Sequence, residues 1–101
     1  MNSSGLSERE IELIVSVFRR YPQIKRGVLF GSRAKGNHRP ASDVDLALYG
    51  KVGSDGAEEV ADELDELPLP YRFDVVPFAS IKLDSLREHI ERVGVTIYQA
   101  A

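Results

Sequence analysis

At 101 residues, with 43% apolar and 29% charged side chains, the sequence has the size and balance of a single globular domain spanning 1–101 and leaves no room for a second domain with a core of its own. It contains no cysteine, which excludes a disulfide framework and a thiolate metal site and leaves His38 and His89 as the only imidazoles. The net charge of −3 argues against direct nucleic-acid binding. There is also no apolar run of roughly 18 residues and no basic-then-apolar leader, so a cytoplasmic protein away from membranes is expected.

The first element is a helix beginning near Ser7, because Ser7-Glu8-Arg9-Glu10 is a capping box flanked by the hydrophobic pair Leu6 and Ile11. Ile11, Ile14, Val15 and Phe18 draw its apolar stripe, and Pro22 stops it by Arg20 or Tyr21. Gly27-Val28-Leu29-Phe30 predicts a buried strand over 25–30 that delivers the chain to Gly31. Residues 32–35 fit one helical turn before Gly36, and 37–42, with Pro40, have the composition of a loop over a site. A strand over 44–49 follows, with Val44, Leu46 and Leu48 facing the core and Asp43 and Asp45 sharing the opposite face.

After a connector over 50–53, Ala57, Val60, Ala61 and Leu64 form a helical stripe that Pro68 and Pro70 punctuate. Residues 71–77 read as a third strand, with Phe73 and Val75 on one face and Asp74 on the other. A last helix from about Asp84 carries Leu86, Ile90 and Val93, Gly94 serves as its C-terminal cap, and 95–98 adds a short final strand. The fold class expected is α+β (α/β), a small mixed β-sheet of three to four strands flanked by about three helices.

Charge is distributed unevenly along the chain. Residues 13–42 hold seven cations (Arg19, Arg20, Lys25, Arg26, Arg33, Lys35, Arg39) and no acid, whereas 54–66 hold seven acids and no cation. The basic stretch brackets Gly31-Ser32 and reads as a local phosphate site, and the acidic one reads as a solvated helix face or a docking face for a basic partner.

Taken singly, Gly31-Ser32 fits a turn, Asp43-Val44-Asp45 a solvated strand, Asp74 a charged strand edge, and Arg33 and Lys35 surface cations. His38 fits a solvated loop, and the four tyrosines fit packing positions. Together they meet the needs of nucleotidyl transfer. A glycine lets backbone approach a triphosphate, amide groups and the Ser32 hydroxyl bind it, and Arg33 and Lys35 add charge. Carboxylates at Asp43, Asp45 and Asp74 suit Mg²⁺, which prefers few protein ligands completed by phosphate oxygens and water.

The run Phe30-Gly31-Ser32-Arg33-Ala34-Lys35-Gly36, then Ser42-Asp43-Val44-Asp45-Leu46, with Asp74 in Arg72-Phe73-Asp74-Val75-Val76, resembles the DNA polymerase β-like nucleotidyltransferase superfamily in its minimal-nucleotidyltransferase (MNT) branch. The resemblance covers nearly the whole chain. It implies that Gly31 and Ser32 bind the triphosphate, that Asp43 and Asp45 ligate two Mg²⁺, and that Asp74 holds the catalytic metal and helps deprotonate the acceptor. It further implies an antitoxin paired with an all-helical HEPN toxin in a hetero-oligomer, moving AMP from ATP to a tyrosine of that partner. Two other classes fit the residues: an antitoxin that masks a HEPN ribonuclease by contact alone, and a nucleotidyltransferase with a small-molecule acceptor.

Overall fold

The computed structural model describes residues 5–36 and 43–100. Helix α1 (Glu8–Phe18) starts where the capping box sets it. The Ser7 N–H donates to Glu10 Oε1 at 2.9 Å and the Glu10 N–H to Ser7 Oγ at 3.1 Å, so two of the N–H groups that a helix start leaves without acceptors find one. Strand β1 (Ile24–Phe30) then runs to Gly31, the single turn α2 (Ser32–Lys35) follows, and β2 (Val44–Gly50) returns antiparallel to β1. Helix α3 (Ser54–Asp65) crosses to β3 (Phe73–Pro77), which lies parallel to β2. A 3₁₀ turn (Phe78–Ser80) and α4 (Asp84–Val93) lead to β4 (Val95–Gln99), antiparallel to β1. The sheet order is β3-β2-β1-β4, a four-stranded mixed sheet as expected.

The central strands β1 and β2 are covered on both faces. One core gathers Ile14, Val17 and Phe18 of α1, Val60 and Leu64 of α3, and Leu29, Val44, Leu46, Leu48 and Phe73 of the sheet. The face that carries Asp45 holds a second, smaller core of Val28, Phe30, Ala47, Phe78 and Ile90. This face is therefore only partly a site surface, because α4 and the 3₁₀ turn cover its far half. There Arg26 lies over the Tyr49 ring, Tyr49 stacks on Phe78 with centroids 4.3 Å apart, and the Arg87 guanidinium carbon lies 4.4 Å from the centre of the Phe78 ring.

Gly94 does follow α4, but not in the left-handed conformation common at helix ends. Its backbone is extended (φ −64°, ψ 148°), and the position excludes a side chain because a Cβ would collide with Ile90 O and Val28 Cγ1. Helix α3 presents its acids outward except for Glu63, which accepts a hydrogen bond from the Tyr21 hydroxyl and pairs with Arg20 at 2.9 Å. Among the described residues no helix is long and apolar enough to cross a membrane.

Leu46 is fully buried on a central strand between two helices. Leu46→Ala is expected to lower the unfolding free energy by about 2–5 kcal/mol in urea denaturation, while Glu59→Ala on the exposed face of α3 changes it by no more than about 0.5 kcal/mol.

Candidate active site

Three strands and one turn place the residues singled out above. Asp45 sits opposite Phe30 across the β1/β2 pair and opposite Asp74 across the β2/β3 pair, so the two aspartates are direct neighbours on one sheet face. Asp43 precedes β2 by one residue, two positions before Asp45, which returns its side chain to the same face. The start of β2 is fixed by the Val44 N–H, which donates to Arg72 O at 2.8 Å. Asp43 and Asp74 are exposed and Asp45 is half-buried.

Gly31 closes β1 with φ 78° and ψ −154°, a backbone region open essentially to glycine alone. A Cβ there would overlap Asp45 Oδ2 and stand 3.2 Å from Asp45 Cγ. The Asp45 carboxylate therefore lies directly against the backbone of the turn. In that turn the Lys35 N–H donates to Gly31 O at 3.2 Å and the Gly36 N–H to Arg33 O at 3.2 Å. As at any helix start, the leading N–H groups have no acceptor within the helix, and Ser32 supplies a half-buried hydroxyl beside them. Lys35 is exposed on the same turn.

Burial raises the Asp45 pKa above its ordinary 3.8, and the charges of Asp74 and then Asp43 raise it further. Three carboxylates thus share one electrostatic neighbourhood. Among the described residues no three acidic or imidazole groups converge into a ready-made metal cage. The donor set nevertheless suits Mg²⁺, which is commonly held by one or two carboxylates while substrate phosphates and water complete its octahedron. His38 and the expected loop over 37–42, with Ser42, lie outside the described residues. A cleft of about 470 Å³ lined by Ile11, Val15, Ile97 and Tyr98, among others, shares no residue with this group.

Arg33 does not lie on the surface where a cation in a polar turn is expected. It is 2% exposed, the one buried charged side chain among the described residues, with its guanidinium carbon 4.8 Å from the centre of the Tyr71 ring. The Tyr71 hydroxyl donates to both oxygens of Glu10, at 3.0 and 3.2 Å. Sequence reasoning assigned Glu10 only to the helix cap and Tyr71 only to packing. Tyr71 has one advance signal, its place three residues before Asp74, and Glu10 has none beyond the capping box.

Gly31→Ala is expected to destabilise the fold by about 1–3 kcal/mol in thermal or urea melts, since it forces a non-glycine residue into this backbone region and pushes Asp45 aside. Asp45→Asn should do the opposite at neutral pH. A raised folded-state pKa means that the folded chain binds the proton more tightly than the unfolded one, so wild-type stability falls as pH climbs from 3.8 through the raised value. The stability advantage of Asp45→Asn over wild type is therefore largest at neutral pH and shrinks as pH falls toward 3.8, as paired urea titrations across that range would register.

A family model described as polymerase beta, nucleotidyltransferase matches residues 12–101. Among curated proteins none is significantly similar in sequence. Solved structures share the fold at low identity. A toxin–antitoxin crystal structure with AMP-PNP superposes with a TM-score of 0.75 at 22% identity, covering 89% of this chain and 73% of that one. A toxin–antitoxin structure of MntA-HepT gives 0.71 at 20%, covering 93% and 74%. A tri-AMPylated Shewanella oneidensis HEPN toxin in complex with MNT antitoxin gives 0.68 at 20%, covering 89% and 70%. With nine-tenths of its length in the family match and the sheet, turn and carboxylates arranged as described, the chain belongs to the polymerase beta nucleotidyltransferase family.

Proposed function

We propose that this chain is the antitoxin of a toxin–antitoxin pair and transfers AMP from ATP to a tyrosine hydroxyl of a HEPN-type helical partner. The observation that carries the reading is the apposition of the Gly31 turn with Asp45 and Asp74 at one end of the sheet, in a family defined by nucleotidyl transfer. The choice of partner and acceptor is supported by the shared fold of the MNT antitoxin complexes, one of which holds an AMPylated HEPN toxin.

In this reading the triphosphate lies along the turn 31–35. Backbone N–H groups of the turn and the Ser32 hydroxyl hold phosphate oxygens, Lys35 adds charge from outside, and Arg33 adds charge from beneath. Gly31 contributes by what it lacks, since any side chain would separate the phosphates from Asp45. Asp43, Asp45 and Asp74 would hold two Mg²⁺, which when bound supply Lewis-acid charge at the attacking and leaving oxygens. The partner's hydroxyl oxygen bonds to the α-phosphorus in line with the bond that breaks, the one to the bridging oxygen of the departing pyrophosphate. Asp74, exposed on the rim, takes the hydroxyl proton. A half-buried Asp45 already crowded by like charge favours cation and nucleotide binding over an empty site.

Incubation of the helical partner with this chain, Mg²⁺ and each nucleoside triphosphate should shift the partner's intact mass by whole AMP units with ATP. The double variant Asp43→Ala/Asp45→Ala should give no shift at little change in melting temperature, since removing clustered like charges leaves the cores intact. A stable complex with no mass shift would instead establish masking by contact. Nucleotide turnover with a small acceptor and no protein partner would establish the small-molecule class.

A further inference from the structure

We propose that Glu10 and Tyr71 act as a latch that holds Arg33, and through it sets the turn over residues 31–36 against the carboxylates. The inference rests on reading that turn as the phosphate-binding element. Three segments remote in sequence meet at the latch. Glu10 lies in the first turn of α1, Arg33 in α2, and Tyr71 just ahead of β3, three residues before Asp74.

The chain of contacts joins hydrogen bonds to one ring face. Glu10 is fixed by the capping box, accepting from the Ser7 N–H while its own N–H donates to Ser7 Oγ. Its two oxygens receive the Tyr71 hydroxyl, and the Tyr71 ring carries the Arg33 guanidinium. Burying a guanidinium is unfavourable unless an aromatic face and an opposite charge compensate it, and this arrangement provides both, with the Arg33 charge also favouring ionised Glu10. Hydrogen bonding from Ser7, with that from Tyr71, holds the Glu10 carboxyl below its usual pKa, so the latch stays charged at neutral pH.

A four-residue helical turn has too few internal hydrogen bonds to hold its own orientation. Its one buried side chain, Arg33, is therefore its anchor. Arg33 is a positioning residue here, because its guanidinium is sealed beneath the turn. The same Tyr71 is followed by Arg72, whose carbonyl receives the Val44 N–H at the start of β2, so one short segment ties the turn, Asp43 and Asp74 into a common frame.

The test compares Tyr71→Leu, Tyr71→Phe and Glu10→Gln with the unsubstituted chain, following hydrogen exchange at the Lys35 and Gly36 amides by NMR and binding of Mg²⁺-AMP-PNP. Gln keeps the capping acceptor, and Phe keeps the ring beneath the guanidinium. Exchange at the two turn amides should quicken by about threefold to tenfold in Tyr71→Leu, with smaller rises in Glu10→Gln and in Tyr71→Phe, which loses the bond to Glu10 but keeps the ring. Nucleotide affinity should fall in the same order, with exchange in β1 and β2 and the melting temperature of the Phe and Gln variants unmoved. Unchanged exchange at the turn, or a rise only in proportion to that of the strands, overturns the latch. A loosened turn with unchanged nucleotide affinity overturns its link to the site. Absence of nucleotide binding by the unsubstituted chain overturns the nucleotide reading instead, and the exchange comparison then decides the latch alone.

Discussion

The contact between the Asp45 carboxylate and the bare backbone of Gly31 is the constraint around which this molecule is arranged. It requires a glycine at the end of β1 in a conformation other residues avoid, a register that sets Phe30 opposite Asp45, and a third strand that brings Asp74 alongside. None of these is favourable by itself. A half-buried carboxylate with two like-charged neighbours opposes folding, and the sheet tolerates it because both faces of the central strands bury apolar side chains elsewhere. Stability is built along β1 and β2, and the strain is confined to one end.

That division explains which features the sequence made legible. Elements set by local chemistry were readable: the capping box of Ser7 and Glu10, the single turn after Gly31, and the alternation that separates Val44, Leu46 and Leu48 from Asp43 and Asp45. So was the trio of carboxylates, because strand parity alone puts Asp45 and Asp74 away from the main core. What depends on distant partners was not readable. The 3₁₀ turn at Phe78 and the second core need the stack of Tyr49 on Phe78, and the parallel pairing of β2 with β3 needs the crossover through α3. Gly94 was recognised as a helix end but for a different physical reason, since its absent side chain makes room for Val28 rather than permitting a left-handed turn.

Arg33 illustrates the limit most clearly. Within its own sequence neighbourhood it is a cation in a polar turn, and the Tyr71 ring and the Glu10 charge, both remote in sequence, help make burial of its charge tolerable. A residue's direction from a one-turn helix is set by whatever the remainder of the chain places under it, and local periodicity over four residues carries no such information.

The same reasoning revises the charge pattern. Read along the chain, the cations before residue 42 form a basic block facing an acidic block on α3. In three dimensions Arg19 pairs with Glu12, Arg20 with Glu63, Arg26 lies on Tyr49 and Arg33 on Tyr71. Much of the positive block is thus engaged inside the molecule, and part of the acidic block is drawn toward α1 through Glu63. Asp45, by contrast, has Asp74 and Asp43 as its charged neighbours. A concentration of negative charge beside a turn rich in backbone N–H groups is unfavourable alone and complementary to a divalent cation with phosphate, because each component then supplies the charge the other lacks. The electrostatic design of the site therefore lies less in surface cations than in carboxylates left facing one another across a sheet that is stable enough to hold them there.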